Sequence, residues 1–172
     1  MNKLIQPIIK HFQFTDFIIN LAMADLKDSD AKRRIRNGQG ASISWIVGHL
    51  LAYRFRVLAA LGHPQENDYE EKYGVKSADS GKDYPPINIL LQEWNTLTQQ
   101  YYALLETISD DLLLSPYAKN RNLHGEQTRL DEIAFFPWHE SSHLGAIGLM
   151  RLEMGYPAIS ELVMKKMQTG KE

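Results

Sequence analysis

The sequence predicts an all-α protein in which four helices form a bundle. Apolar residues recur at three- and four-residue steps in four segments, and this spacing places them on one face of each helix. Each segment covers about 20–25 residues, enough for a helix of about 30–37 Å. No segment shows the alternation of apolar and polar residues that is typical of a half-buried strand. Four amphipathic helices bury their apolar faces best against one another, which favours a bundle.

The first two helices are predicted over residues 2–26 and 42–61, with a polar connection between them. Ser42 or Ser44 is the expected N-cap of the second helix, and Gly62 is its expected end. The predicted buried positions are Leu4, Ile8, Phe12, Thr15, Ile18, Ile19, Ala22 and Leu26 in the first helix, and Ile46, His49, Leu50, Tyr53, Val57 and Ala60 in the second.

The third and fourth helices are predicted over residues 85–108 and 128–154. A Pro-Pro pair opens the third helix, because proline is favoured in a first turn. Thr128 followed by Asp131 resembles a capping box at the start of the fourth. Residues 63–84 are expected to form a loop with one short helical turn, residues 109–127 a polar connection, and the tail a short helix. The predicted buried positions of the third helix are Ile87, Leu90, Leu91, Trp94, Leu97, Tyr101, Leu104 and Ile108.

Length and composition are those of a single domain. We expect residues 1–172 to fold as one unit, with the core in residues 1–155 and a short tail in 156–172. The formal net charge of −2 gives no reason to expect a nucleic-acid partner or an anionic membrane. No apolar run approaches the about 20 residues that span a bilayer, and the first residues lack the order of a signal peptide. A cytoplasmic protein without a membrane partner is therefore expected.

Three of the six histidines are expected to point into the bundle. His139 and His143 are four residues apart, so they share one face of the fourth helix, within an apolar stripe. His49 lies in the inward stripe of the second helix. A buried imidazole needs a partner for each ring nitrogen, and one divalent metal satisfies three rings at once. Because the chain has no cysteine, any metal must be held by nitrogen or oxygen atoms.

A second interpretation treats these three side chains as ordinary core residues. A single buried histidine more often bonds to a carbonyl or carboxylate than to a metal, and periodicity does not establish that the two helices are neighbours. The remaining histidines are predicted not to be ligands. His11 lies near the middle of the first helix, His63 follows the end of the second, and His124 lies in a polar connection.

Residues 139–143, HESSH, match the H-E-x-x-H pattern of metallopeptidases, in which the glutamate is the general base. The longer metzincin pattern fails, because Ala146 and Leu149 stand at its glycine and third-histidine positions. Glu161 is the remaining candidate for a third ligand, but it lies in the tail. No strand is predicted that could hold an extended peptide. A peptidase with Glu140 as its base is therefore a secondary interpretation.

Two segments carry a specific resemblance. They are SISWIVGHLLAYRFRVL at residues 42–58 and WHESSHLGAIGLMRLEMG at residues 138–155. In the first, a tryptophan precedes a central histidine; in the second, H-x-x-x-H is followed by glycines and an arginine. In order and spacing these blocks resemble the DinB superfamily of bacterial metal-binding bundles, and the resemblance covers about residues 1–155.

The resemblance implies more than the residues alone. It implies an up-down-down-up four-helix bundle, often dimeric, with a metal triad at His49, His139 and His143. The metal is expected to be zinc, with nickel as the alternative. Similar proteins transfer low-molecular-weight thiols such as bacillithiol or mycothiol. In them the metal binds the thiol as thiolate, which attacks an electrophile.

We therefore expect a metal-dependent enzyme that transfers a thiol to an electrophilic small molecule, or that carries out a related hydrolysis. The reactive group would be a metal-bound water or thiolate. Glu140 and Arg56 are the secondary candidates for catalytic side chains, and Arg56 would meet an anionic group at the rim. The first alternative is a protein without catalytic activity, in which the bundle is dimeric and has a binding or structural role. The second alternative is the zincin-like peptidase.

Overall fold

The computed structural model describes residues 3–74, 83–117 and 126–169, and these residues form helices without any strand longer than one isolated bridge. The prediction of an all-α protein is confirmed. The helices are α1 (Gln6–Met23), α2 (Asp28–Ala31), α3 (Ile43–Ala60), α4 (Asp68–Tyr73), α5 (Ile87–Thr107), α6 (Asp110–Leu114), α7 (Arg129–Glu153) and α8 (Ile159–Thr169).

The four long helices, α1, α3, α5 and α7, are the four that the apolar periodicity predicts. Both α1 and α3 pack against α5 and α7, so the helices surround one core in the order α1, α5, α3, α7. The short helices lie on the outside: α4 packs on α3, α6 on α7, and α8 on α1. Among the largest fully buried side chains are Trp94, Tyr101, Phe12, Phe136, Ile19 and Leu50. No helix in the described part of the chain is both long and apolar enough to cross a membrane.

The predicted helix ends are confirmed in their chemistry. Ser42 is the N-cap of α3, and its hydroxyl accepts a hydrogen bond from the backbone N–H three residues on. Thr128 and Asp131 form a complete capping box at the start of α7. Gly62 and Gly155, which follow α3 and α7, have φ angles of +86° and +82°, which is the left-handed conformation that ends many helices.

Three expectations need correction or completion. The first helix begins at Gln6 rather than at residue 2, and Leu4, predicted to be buried, is 44% exposed, whereas the neighbouring Ile5 is fully buried. The physical reason is that Leu4 precedes the helix and so does not follow its periodicity. Residues 109–127 contain the helix α6, capped by Ser109, where only a polar connection was predicted. The short turn expected in residues 63–84 is α4, and the short helix expected in the tail is α8.

One charged side chain lies at the centre of the bundle. Arg54 of α3 is 1% exposed. Its Nε donates to Glu140 Oε1 of α7 at 2.8 Å, its Nη2 to Asp16 Oδ1 of α1 at 2.6 Å, and its Nη1 to the Thr98 hydroxyl of α5. The guanidinium carbon lies 3.2 Å from the centroid of the Trp94 ring. Burial disfavours the cation, yet the attraction of the Glu140 carboxylate raises the pKa of Arg54.

The Asp16 carboxylate is surrounded by donors from α5. Trp94 Nε1 donates to it at 3.0 Å and the Tyr101 hydroxyl at 2.9 Å, and the Tyr102 hydroxyl also donates. Four helices thus contribute to one buried, hydrogen-bonded network. A buried charge with this many partners is tolerated, whereas removing one partner leaves a charge unpaired.

We predict that Arg54→Met, which keeps the apolar stem and removes the charge, lowers the free energy of unfolding by about 3–5 kcal/mol, because it leaves two buried carboxylates without their cation. The matched control is Arg56→Met on the same helix. Arg56 pairs with Glu70 at a partly exposed position, so its loss should cost about 1 kcal/mol or less. Urea denaturation measures both, and equal losses would contradict this assignment.

Candidate metal centre

The three inward histidines predicted from the sequence come together. His49 Nε2 of α3 lies 3.4 Å from His139 Nε2 of α7, and His143 Nε2 lies 3.1 Å from the same atom. One nitrogen of each ring lies within 4.8 Å of the others, and in the described residues these three form the only group of three or more histidine, cysteine, aspartate or glutamate side chains with such geometry. His49 is 7% exposed, and the other two are half-buried.

A main-chain carbonyl orients His49. Its Nδ1 lies 2.7 Å from the carbonyl oxygen of Tyr73, the last residue of α4. Because a carbonyl only accepts, Nδ1 carries the proton, and the neutral ring therefore presents the lone pair of Nε2 to the other two histidines. Sequence reasoning gave α4 no part in the site, because a backbone carbonyl carries no signature in the sequence.

Aromatic side chains hold the imidazole rings in place. The Trp45 ring stacks on His49, with centroids 5.0 Å apart and planes inclined by 12°. Tyr53 stacks on His139 at 4.3 Å, and Phe135 lies on the same ring at 5.4 Å. These contacts restrict the rotation of two of the three rings, so that the positions of the Nε2 atoms depend on packing as well as on hydrogen bonds.

The surroundings keep two of the three histidines, His49 and His143, neutral. Burial lowers the pKa of His49, and burial together with the nearby His49 lowers the pKa of His143 to about 4. Near pH 7 His49 and His143 are therefore uncharged, which is the form in which a histidine binds a metal. Three ring nitrogens at these separations form a position that suits a shared cation.

The two secondary catalytic candidates lie in other networks. Glu140 is buried, its Oε1 accepts from Arg54 and its Oε2 accepts from the Thr15 hydroxyl. Arg56 forms an ion pair with Glu70, and its guanidinium lies 4.1 Å from the centroid of the Tyr53 ring. Arg56 is thus near the histidines through Tyr53, whereas both oxygens of Glu140 face the core network.

The remaining histidines, which were predicted not to be ligands, and the candidate ligand Glu161 lie away from the three-histidine cluster or outside the described residues. His11 Nε2 lies 2.8 Å from the Ser141 hydroxyl, and His63 is exposed behind α3. Glu161, the candidate third ligand of a peptidase, is exposed on α8. His124 lies outside the described residues.

A pocket of about 320 Å³ opens beside the histidines. His143 and Trp45 line the pocket, and Glu153 lines it further along α7, with the apolar side chains of Ala146, Leu149 and Met150 between His143 and Glu153. Because Glu153 follows His143 by ten residues, the pocket extends about 15 Å along α7. A small molecule in this pocket would reach the histidines from the side of His143.

The sequence profile of the DinB superfamily matches residues 19–147, which is most of the chain and includes all three histidines. The chain belongs to the DinB superfamily. No curated protein matches it.

Two solved structures have a fold similar to that of this chain. YfiT from Bacillus subtilis, described as a probable metal-dependent hydrolase with an unusual four-helix bundle topology, superposes with a TM-score of 0.66 at 19% identity, over 91% of each chain. A conserved protein from Enterococcus faecalis superposes with a TM-score of 0.68 at 16% identity, over 90% of this chain and 99% of that one. At these identities the likeness shows the fold, and the four-helix bundle prediction is confirmed. The up-down-down-up order of the helices stays a prediction.

Gly48, next to His49, permits the close approach of α4. A Cβ built at this position would lie 2.8 Å from the ring of Tyr73. Tyr73 is also the residue whose carbonyl orients His49. We predict that Gly48→Ala lowers the free energy of unfolding by about 1–3 kcal/mol, because the ring must move away.

Gly145 of α7 provides the matched control, because a Cβ there meets no atom within 4 Å. Gly145→Ala should raise the stability by up to about 1 kcal/mol, the helix-propensity difference between the two residues. Thermal and urea unfolding measure both variants. A neutral Gly48→Ala substitution would show that α4 does not rest on α3 as closely as described.

Proposed function

We propose that this protein binds one divalent metal ion through His49, His139 and His143 and uses it on an electrophilic small molecule, either to add a thiol or to hydrolyse it. The observation that carries the proposal is the convergence of three Nε2 atoms from two helices within 4.8 Å. The donor set fits the metal. It offers three imidazole nitrogens, one with its tautomer held by a carbonyl, which is the three-ligand set of catalytic zinc sites.

The chain's own residues supply position and surroundings. A bound metal supplies Lewis acidity, which makes a water or a thiol beside it easier to deprotonate. Trp45 and Tyr53 hold two of the imidazoles at fixed angles. The pocket beside His143 would receive the substrate body against apolar side chains.

Different observations support the two reactions. The description of the Bacillus subtilis relative as a probable metal-dependent hydrolase supports hydrolysis. Thiol transfer is supported by the resemblance of residues 42–58 and 138–155 to the DinB superfamily, in which some members use a low-molecular-weight thiol as co-substrate. The resemblance to the DinB superfamily favours zinc, with nickel as the alternative, and imidazole nitrogen suits both metals.

We propose a homodimer in the cytoplasm, acting on a small molecule and not on nucleic acid or a membrane. The formal net charge of −2 gives no electrostatic attraction toward polyanions. Phe17 of α1 is 37% exposed, and an exposed aromatic side chain on this helix suits a contact between two copies of the chain.

The peptidase alternative is opposed by the position of Glu140. A general base must have an oxygen available to the attacking water, and both Glu140 oxygens accept hydrogen bonds from core side chains. The non-catalytic alternative predicts histidines that bind no metal, and metal content distinguishes it directly.

Elemental analysis of protein purified without an affinity tag should find about one zinc or nickel ion per chain, as expected for one site with three ligands. Each of His49→Ala, His139→Ala and His143→Ala should reduce the metal content to a small fraction of this value. The control is His63→Ala, which removes an exposed histidine just beyond the end of α3. This variant should keep the metal. Stoichiometric metal in all three site variants would exclude the triad.

Glu140→Gln separates a role in the core from a role in catalysis. We predict a loss of about 1.5–3 kcal/mol in the free energy of unfolding, because a charged hydrogen bond to Arg54 becomes a neutral one. Metal content should stay at one ion per chain, and turnover of the small-molecule substrate should persist in the folded fraction. Unchanged stability with complete loss of turnover would indicate a general base instead.

A further inference from the structure

A second and larger pocket lies on the side of α7 that faces away from the three histidines. It has a volume of about 530 Å³ and is bounded by α1, α7 and α8. Gly148, which lines it, follows His139 by nine residues, or about two and a half helical turns, so the two positions are on opposite sides of α7. This pocket is separate from the candidate metal centre.

Two glycines create the space. A Cβ at Gly145 would meet no atom within 4 Å, and one at Gly148 would only touch Ile159 of α8, at 3.4 Å. Any larger residue at position 145 would extend into the pocket. The helix α8 therefore borders a trough on α7 without filling it.

The walls of the pocket are apolar. They are formed by Phe14 and Ile18 of α1, Leu144 of α7, and Val163 and Met164 of α8. No aspartate, glutamate, lysine, arginine or histidine lines the pocket in the described part of the chain. A charged ligand would find no counter-charge there, and an unpaired ion in an apolar pocket is strongly disfavoured.

The polar atoms of the lining are hydroxyls, on Thr15, Ser141 and Ser160. The Ser141 hydroxyl donates its one hydrogen to the Pro137 carbonyl at 2.9 Å. The 2.8 Å contact between this hydroxyl and His11 Nε2 therefore has the histidine as donor and the serine as acceptor. In a catalytic serine the polarity is the reverse, because the histidine accepts the proton. This pair thus supports binding rather than nucleophilic attack.

We propose that this pocket binds a neutral, mainly aliphatic small molecule, such as a single chain of about ten carbons with a terminal hydroxyl. Its volume is within the about 300–1,000 Å³ of small-molecule sites. The hydrocarbon chain would lie along Gly145 and Gly148, and the ligand hydroxyl would donate to the oxygen of the half-buried Ser141. The proposal is independent of the metal centre and of the reaction proposed for it.

The test uses the full-length protein and three ligands that share one chain: n-decanol, decanoate and decylammonium. Binding is measured by NMR titration of the methyl groups of Ile159 and Met164, below the concentration at which each ligand forms aggregates. Decanol should give saturable shifts, and the two ions should bind at least about tenfold more weakly, since each would lose its hydration without a partner.

Gly145→Leu should weaken decanol binding at least about tenfold, because the new side chain occupies the trough. Ser142→Leu, an exposed position on the same helix outside the pocket, is the control and should bind as the wild type does. If Gly145→Leu fails to fold, Val163→Phe fills the pocket from the α8 side. The absence of saturable decanol binding, equal binding of all three ligands, or an unchanged affinity in the folded pocket-filling variant would each overturn the proposal.

Discussion

The buried guanidinium of Arg54 is the interaction on which the rest of this bundle depends. It lies on α3 and finds its partners on the other three long helices: Asp16 on α1, Thr98 on α5 and Glu140 on α7. Apolar stripes bring helices together but tolerate sliding and rotation, because one aliphatic contact resembles another. Directional hydrogen bonds to a single buried cation do not. The network therefore sets the rotation of each helix about its own axis.

That rotation has a direct effect on the histidines. Glu140 follows His139 in the sequence, and a residue on an α-helix is turned by about 100° from the one before it. With the Glu140 carboxylate directed at Arg54, the next face of α7, which carries His139 and His143, is directed at α3 and His49. The core network and the candidate metal centre thus lie on two adjacent faces of α7. The position of Glu140 beside His139 in HESSH is accounted for by this packing.

The sequence alone was sufficient for the long helices, their caps and the face of the helix on which each of the three histidines lies, because each rests on a pattern of local spacing. Ser42, Gly62 and the Thr128 capping box have chemistry that depends on residues three or four positions away. What could not be predicted depends on distant residues or on the backbone. The partner of Glu140 depends on which helix lies opposite. The hydrogen bond to His49 comes from a carbonyl that every residue type possesses. Leu4 was misplaced because helical periodicity does not continue beyond the first turn.

The link between α4 and His49 has a consequence for the rate at which a metal could enter or leave. A helix of six residues is not stable by itself, so α4 is held by its packing on α3 and can open without unfolding the bundle. Each opening would remove the Tyr73 carbonyl from His49 and release that imidazole to rotate. The rate of exchange of a metal ion would then be governed by local opening of α4, which is faster than global unfolding of the bundle.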